Sequence, residues 1–282
     1  MGSFGKAIAS LVEYNGYVYD YAEPGKPLSQ PADIVFLTVP TQFVREALTA
    51  NKDHMTSQTI IVNAAKGIEE GSHLMVHQIV KSLGNYPNYY SLIGPSFAHG
   101  ILEQEPTVVS LGYKDPSHLK TIQNILQTPY FRVEPSKGFR ALELASALKN
   151  MYAIICGYSS GLGFGANTQA QLITIALHEF TILAKAMHFA DYNPDAPGVV
   201  GDLILTCSSR ESRNFQFGLM LAENRKVSAV PEETVEGYHT SHSINIIAKE
   251  QGTLLPLAKL TAQVINGNTD GQHTLRDFLA KY

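Results

Sequence analysis

The first half of the chain alternates short apolar runs with stretches of helical periodicity. The runs are continuously apolar and rich in β-branched residues, which predicts strands. They lie at Tyr17–Tyr21, Ile34–Val39, Thr59–Ala64, Tyr90–Ile93, Thr107–Leu111 and Phe131–Glu134. The intervening segments that begin at Val44, His73 and His118 place apolar residues three and four positions apart, as amphipathic helices do. Because such alternation is typical of parallel strands joined by crossover helices, we predict an α/β fold with a Rossmann-like parallel sheet covered on both faces.

From about Phe139 the pattern changes to long helical segments with no convincing strand. The predicted helices cover Phe139–Gly157, Asn167–His188, Arg213–Leu221, Ser241–Gln251 and Leu254–Val264. The short run GDLILTC from Gly201 cannot be classified by its period alone. We therefore predict two domains: a dinucleotide-binding domain over residues 1–136 and an all-helical substrate domain over residues 137–282.

Composition excludes several function classes. The net charge of −4 gives no basic surface for nucleic acid. No apolar run approaches the 18 or so residues that span a bilayer, and the N-terminal sequence MGSFGK carries no export or lipidation signal. Cys156 and Cys207 are too far apart for a CxxC motif, which argues against a disulfide scaffold and fits the reducing cytoplasm. The low charged fraction of 16% is consistent with a homodimer interface.

Two glycines near the start have the spacing of part of a dinucleotide fingerprint. In GxGxxG, the second glycine lets pyrophosphate approach the backbone and the third permits close packing of helix on strand. Gly2 and Gly5 match these two, and Asp20 ends an apolar run about where an acidic residue binds ribose hydroxyls. The first glycine and its strand are absent, so we expect a further strand to precede Met1 in the natural protein. The alternative is an N-terminal flap with a helix start.

Lys66 and the pair Gly94 and Ser96 follow predicted strands, at the edge of the sheet where open α/β folds bind ligands. Lys149 and Asn150 interrupt an otherwise apolar helix. A lysine in that setting is a candidate for chemistry, although a loop lysine at Lys66 and a snorkelling lysine at Lys149 remain open alternatives.

A second polar cluster falls in GDLILTCSSRESRN. Asp202 and Thr206 precede a predicted helix start where Ser212, Arg213 and Asn214 offer a hydroxyl, a guanidinium and an amide. Together with free helix N–H groups, these form a grip suited to phosphate. The alternative is a solvated helix cap with an exposed arginine.

The segments VNAAKGIE, GPSFA, ELASALKNMYAIICGYSSGLGFGANT, GDLILTCSSRESRN and VEGYHT, in this order, resemble the bacterial-type NAD(P)-dependent glycerol-3-phosphate dehydrogenases. The resemblance implies reduction of dihydroxyacetone phosphate to sn-glycerol 3-phosphate for glycerophospholipid synthesis. It implies that Lys149 is the proton donor and acceptor, and that Lys66 is a second active-site lysine. The implied substrate contacts are Lys66, Gly94, Ser96, Lys149, Asp202, Ser212, Arg213 and Asn214. The implied dinucleotide contacts are Ser3, Phe4, Lys66, Ala98, Arg213 and Glu236, beside Gly2, Gly5 and Asp20.

Three further expectations concern the cofactor, metals and competing functions. Asp20 has no basic residue near it until Lys26, so a 2′-phosphate would meet a carboxylate, and we expect NADH in preference to NADPH. The pair His73–His77 lacks the glutamate of an HExxH motif and the pair His239–His242 has no third ligand nearby in sequence, so we expect no metal. The alternatives are another two-domain ketone reductase, such as a 3-hydroxyacyl-CoA or ketopantoate reductase type, and a non-catalytic sensor or interaction module.

Overall fold

The computed structural model describes residues 1–224, 235–268 and 271–282, and the first part of the chain forms a five-stranded sheet. The strands are β1 (Ile34–Leu37), β2 (Ile60–Asn63), β3 (Tyr89–Ile93), β4 (Thr107–Tyr113) and β5 (Phe131–Lys137), in the spatial order β1-β2-β3-β4-β5. The pairs β1–β2, β2–β3 and β4–β5 are parallel. The predicted α/β fold is therefore confirmed, and five of the six predicted strands are present.

The prediction of a parallel sheet is wrong at one pair, because β3 and β4 are antiparallel, with Ser91 opposite Gly112. The connecting helix α4 (Ala98–Leu102) has only five residues. At 1.5 Å per residue it advances about 7.5 Å, less than the roughly 16 Å length of a five-residue strand. The chain therefore does not return to the starting edge of the sheet, and β4 runs back along β3.

The predicted strand Tyr17–Tyr21 is also wrong. Residues 17–21 pair with no strand in the part of the chain that the structure describes, and Val18 is 97% exposed. The alternating pattern YVYDY gives this segment strand propensity, but a strand needs a hydrogen-bonded neighbour. Asp20 consequently lies in an exposed irregular segment rather than at a strand end.

Helices cover both faces of the sheet, as predicted from its apolar runs. On one face, α1 (Ser3–Tyr14) and α5 (Leu119–Leu126) pack against Ile60 and Val62 of β2. On the other face, α2 (Val44–Ala50) and α3 (Val76–Leu83) pack against Ile61 of the same strand. Side chains of β2 therefore alternate between two apolar layers, which explains why the whole strand is buried.

Helix α3 begins three residues later than the periodicity of its sequence predicts. Ile68 and Met75 form an antiparallel bridge, and His73 has a φ of 57° in the turn between them. Because those residues are held in a turn, the helix starts only at Val76.

The second part of the chain is helical throughout its described residues, which confirms the prediction. Its helices are α6 (Phe139–Gly161), α7 (Ala166–Ala186), α8 (Asp202–Ser208), α9 (Arg213–Asn224), α10 (Glu236–Glu250), α11 (Pro256–Ile265) and α12 (Gln272–Ala280). The unclassified run GDLILTC forms most of α8, preceded by a π-helical turn at Pro197–Gly201, while α12 was not predicted. None of the described helices is long and apolar enough to cross a membrane. We propose the domain boundary at residues 136–137, which is the last residue pair of β5 and lies just before α6 begins at Phe139.

Helix α6 is the centre of the helical part, and 19 of its 23 residues are buried. It crosses α9 at two glycines. A Cβ atom on Gly157 would lie 1.9 Å from the carbonyl oxygen of Phe215, and one on Gly218 would lie 2.0 Å from that of Ile154. Any side chain at either position would push the helices apart, so the two glycines allow the close distance between the axes of α6 and α9.

Candidate active site

The carboxyl ends of three neighbouring parallel strands meet at one edge of the sheet. Thr38 follows β1, the turn that carries Lys66 follows β2, and Gly94 follows β3. Lys66 is half-buried there, and its Nζ lies 5.5 Å from the ring centroid of Phe4 in the first turn of α1. This edge is where open α/β sheets bind ligands.

Lys149 faces this region from the middle of α6. Its side chain is 4% exposed, and its Nζ lies 2.5 Å from Oδ1 of Asp202. Nζ also donates to Oγ1 of Thr206 at 3.1 Å, and that hydroxyl donates in turn to the backbone carbonyl of Asp202 at 2.6 Å. The second carboxylate oxygen of Asp202, Oδ2, is buried and has no hydrogen-bond partner among the residues that the structure describes. The pair thus keeps a free acceptor beside the ammonium group.

Asp202 reaches Lys149 because the chain enters α8 through a tight turn against the sheet. Gly198 donates its N–H to Oγ of Ser110 at 3.0 Å, and a Cβ on Gly198 would lie 2.6 Å from the carbonyl oxygen of Ile93. This close approach places the start of α8 next to the end of β3. A carboxylate in the first turn of a helix is also favoured by the helix dipole.

Burial lowers the pKa of Lys149 from 10.5 to about 8. The negative charge of Asp202 opposes this shift, whereas the positive charge of Lys66 adds to it. Desolvation disfavours the charged ammonium and a nearby cation disfavours it further, so the proton of Lys149 becomes labile near neutral pH.

Glu236, the first residue of α10, joins the same region. Burial raises the pKa of its carboxyl to about 6, against the lowering effect of the positive charges of Lys66, Lys149 and Arg213. Asn150 donates from Nδ2 to Oε2 of Glu236 at 2.9 Å. One carboxylate therefore lies among three cations drawn from a turn after the sheet, from α6 and from α9.

The residues predicted to grip an anion lie where α9 begins. Ser212 is buried and its Oγ accepts the N–H of Phe215 at 3.3 Å, whereas Arg213 is exposed. Oδ1 of Asn214 accepts the N–H of Gly237 at 2.9 Å. The start of α9 is thus joined to the start of α10, where Glu236 lies.

Two family models match the chain. The model described as the N-terminus of NAD-dependent glycerol-3-phosphate dehydrogenase matches residues 26–119, and the model of its C-terminus matches residues 139–276. A glycerol-3-phosphate dehydrogenase [NAD(P)+] of Solidesulfovibrio magneticus is 33% identical over 248 residues, which are 86% of this chain and 75% of the relative. The chain belongs to the family of NAD-dependent glycerol-3-phosphate dehydrogenases.

Other members of the family agree with this membership. The enzyme of Maridesulfovibrio salexigens is 34% identical over 252 residues, covering 88% of this chain and 77% of the relative. The crystal structure of glycerol-3-phosphate dehydrogenase from Coxiella burnetii has the same fold, with a TM-score of 0.85 over 99% of this chain and 96% of that one, at 24% identity. The chain is therefore an NAD(P)-dependent oxidoreductase.

The start of α1 fits a dinucleotide. In the described part of the chain, no atom lies within 4 Å of where a Cβ on Gly2 would stand, which leaves room for a ligand before the first turn. At Gly5, by contrast, a Cβ would lie 3.0 Å from Oγ1 of Thr38 just past β1, and the helix packs closely on the strand end. These are the roles of the second and third glycines of the fingerprint. Ser3 and Phe4 lie in this first turn, and α1 packs near α4, which begins at Ala98.

Most of the predicted site residues lie near this edge of the sheet, but Asp20 does not contact them. Its carboxylate accepts the N–H and the hydroxyl of Ser29 at 2.8 and 2.7 Å in the exposed segment before β1. Gly94 and Ser96 are buried after β3, where a Cβ on Gly94 would lie 2.7 Å from Cα of Val109. Close packing against β4 therefore already requires glycine at position 94.

The polar side chains of Thr206 and Asn150 stand out in the sequence, but neither is among the substrate or cofactor contacts predicted from it. Thr206 lies four residues after Asp202 on α8, so helical spacing would have placed it on the same face. Asn150 was noticed beside Lys149, but its partners Glu236 and the carbonyl oxygen of Lys66, the latter 3.5 Å from Nδ2, are remote in sequence.

The site yields a first prediction about proton affinity. Lys149 should titrate near pH 8 in an NMR titration of lysine side chains, with Lys149→Met used to assign the signal. Asp202→Asn should lower this pKa, because it removes the charge that stabilises the ammonium. Lys66→Met should raise it, because it removes a repelling cation. A Lys149 midpoint near 10.5, unmoved by either substitution, would contradict this account of the site.

Proposed function

We propose that the enzyme reduces dihydroxyacetone phosphate to sn-glycerol 3-phosphate in the cytoplasm, for glycerophospholipid synthesis. The observation that carries the proposal is the buried pair Lys149–Asp202, with its free carboxylate oxygen and a lysine pKa of about 8. A ketone carbonyl needs a proton on its oxygen when its carbon is reduced. Lys149 is a buried acid whose proton is labile at the pH of a cell.

We assign the roles at the reacting carbonyl as follows. When bound, the nicotinamide supplies a hydride to the carbonyl carbon. The ammonium of Lys149 stabilises the charge that develops on the carbonyl oxygen and gives that oxygen its proton. Asp202 orients the ammonium, and Lys66 keeps the pKa of Lys149 low and contacts the substrate.

The substrate phosphate is assigned to the start of α9. Ser212, Arg213 and Asn214 present a hydroxyl, a guanidinium and an amide there, and Gly94 and Ser96 complete the substrate contacts from the end of β3. Binding of the phosphate away from the reacting carbon would hold the carbonyl close to Lys149.

The dinucleotide is assigned to the start of α1 and the groups around it. We propose that Gly2, Ser3, Phe4 and Gly5 contact its pyrophosphate side, with further contacts from Lys66, Ala98, Arg213 and Glu236. A homodimer is a further proposal, supported by the low charged fraction of 16%. Family membership supports this enzyme over the two alternatives raised by the sequence, a different ketone reductase and a non-catalytic module.

The proposal is tested by following NADH oxidation with dihydroxyacetone phosphate. Lys149→Met keeps the length of the side chain but removes its proton and charge, so kcat should fall by at least about 100-fold. The control is Lys185→Met, which removes an exposed lysine of α7 and should leave kcat unchanged. Near-normal turnover in Lys149→Met would contradict the assignment of the acid.

The phosphate grip is tested by comparing two substrates. Arg213→Ala should reduce kcat/KM for dihydroxyacetone phosphate much more than for unphosphorylated dihydroxyacetone, because a guanidinium binds phosphate through charge-assisted, often bidentate hydrogen bonds. The matched control is Arg276→Ala, which removes an arginine of α12 that stacks over Phe164 instead. Equal losses on both substrates in Arg213→Ala would mean that Arg213 serves the fold or the cofactor.

Cofactor preference is the third test of the proposed function. We propose that NADH is used in preference to NADPH, because Asp20 lies in the same exposed segment as Glu23, which binds the Met1 amino group beside the start of α1, and its carboxylate would repel a 2′-phosphate and accept a hydrogen bond from a 2′-hydroxyl. The ratio of kcat/KM values should favour NADH by about tenfold, equivalent to about 1.4 kcal/mol, and Asp20→Asn should reduce that ratio. A preference for NADPH, or a ratio that Asp20→Asn leaves unchanged, would remove Asp20 from the cofactor site.

A further inference from the structure

A buried polar cluster lies between the sheet and α6, outside the groups assigned to catalysis. At its centre is Glu143, which is 3% exposed. Its carboxylate accepts hydrogen bonds from the hydroxyl of Tyr89, from Oγ of Ser91 at 3.0 Å and from the backbone N–H of His77 at 3.2 Å. Nδ1 of His77 lies 2.8 Å from the same carboxylate. One side chain of α6 is therefore bonded to β3 and to the first turn of α3.

Burial alone would raise the pKa of Glu143, but the charge of His77 and the hydrogen bonds from His77 and Tyr89 outweigh it. The pKa of this carboxyl consequently lies below its usual value, and the group is charged at neutral pH. A buried charge with this many donors is held in one position, because moving it away from them would leave it unpaired in a low-dielectric interior.

Asn63 connects this fixed carboxylate to the turn that carries Lys66. It is the last residue of β2 and is fully buried. Its Oδ1 accepts the N–H of Ala65 at 2.9 Å, while its Nδ2 is shared between the carbonyl oxygen of Ala65 and Oε1 of Glu143, both at 3.4 Å. The amide thus bonds both backbone groups of Ala65 and, at the same time, the carboxylate on α6.

This connection runs from Ala65 through Asn63 to Glu143, and one active-site lysine lies near each of its ends. Lys66 follows Ala65 directly, and Lys149 lies on the same buried helix as Glu143, six residues farther along. We propose that Asn63 and Glu143 are positioning residues that set the separation between Lys66 and Lys149. This inference rests on the roles proposed above for the two lysines.

Among the described residues, four ionisable groups act on or face Lys149. Asp202 and Cys207 lie on α8, Glu236 begins α10, and Lys66 lies on the turn after β2. Lys66 is the one among them that Asn63 holds in place. If the turn is released, repulsion moves the Lys66 ammonium away from Lys149, and the pKa of Lys149 rises from about 8. Reduction needs the protonated lysine, so the pH above which kcat falls should move upward.

The experiment compares two buried substitutions in this cluster. Asn63→Leu removes the bonds between the turn and Glu143, whereas the control Ser91→Ala removes a different hydrogen bond to Glu143 and leaves residues 63–65 intact. Asn63→Ser is a smaller variant that also cannot reach both Ala65 and Glu143, and it replaces Asn63→Leu should that variant not fold. For each we measure kcat and KM for dihydroxyacetone phosphate against pH, and the NMR titration of Lys149.

In the Asn63 variants, KM should rise and kcat/KM should fall by about tenfold. The midpoint of the pH profile of kcat and the midpoint of the NMR titration of Lys149 should both move to higher pH. Ser91→Ala should lower the free energy of unfolding but leave KM and both midpoints unchanged. Unchanged midpoints in the Asn63 variants, or equal shifts in Ser91→Ala, would overturn the inference, since the cluster would then serve only the fold. An inactive wild-type enzyme would overturn the proposed function instead, and the NMR midpoints would still decide the position of Lys66.

Discussion

The burial of α6 on every side is the constraint on which the rest of the structure depends. Residues 141–159 of this helix have no solvent face, so a charged or amide side chain there needs a partner, because desolvating an unpaired charge costs more than the fold can offset. The three such side chains on α6 that have been described, Glu143, Lys149 and Asn150, each meet this requirement with groups from other elements. Their partners come from β2, β3, α3, α8 and α10. The hydrogen bonds that these three side chains require therefore fix the positions of the sheet and of the other helices around α6.

The same requirement explains why a reactive lysine persists in the interior. The carboxylate of Asp202 offsets much of the cost of burying Lys149, and Lys66 partly reverses that compensation, so the ammonium is neither strongly retained nor lost. Three elements that are far apart in sequence contribute to this balance. Proton affinity at this position is thus a property of the assembled fold and not of the helix that carries the lysine.

Much of the architecture follows from local sequence patterns, and the exceptions have physical causes. The apolar runs of β1 to β4 predict strands correctly because both faces of the sheet are covered there, whereas β5 is predicted by residues that alternate between buried and exposed positions. The run at Tyr17–Tyr21 has the same propensity but no neighbouring strand in the described structure, and the direction of β4 depends on how far the short α4 can carry the chain. Neither property is local to the residues concerned.

The candidate site, too, could be predicted only in part from local sequence patterns. Lys149 stands out because a cation interrupts an apolar helix, and the structure brings Asp202, Lys66 and Glu236 close to it. The connection through Asn63 and Glu143 has no such signal in the sequence. An asparagine at a strand end and a glutamate near a helix start are both common, and these two residues are 80 positions apart, so only the folded structure shows that they are bonded. The glycine crossing of α6 and α9 has a mechanical consequence for this site. Gly157 lies against the backbone of α9 and Gly218 lies against the backbone of α6. This crossing is little more than one helical turn from Ser212, Arg213 and Asn214. A displacement at this crossing would shift those residues, so we expect a side chain at Gly157 or Gly218 to disturb the start of α9, although neither glycine is among the proposed substrate contacts.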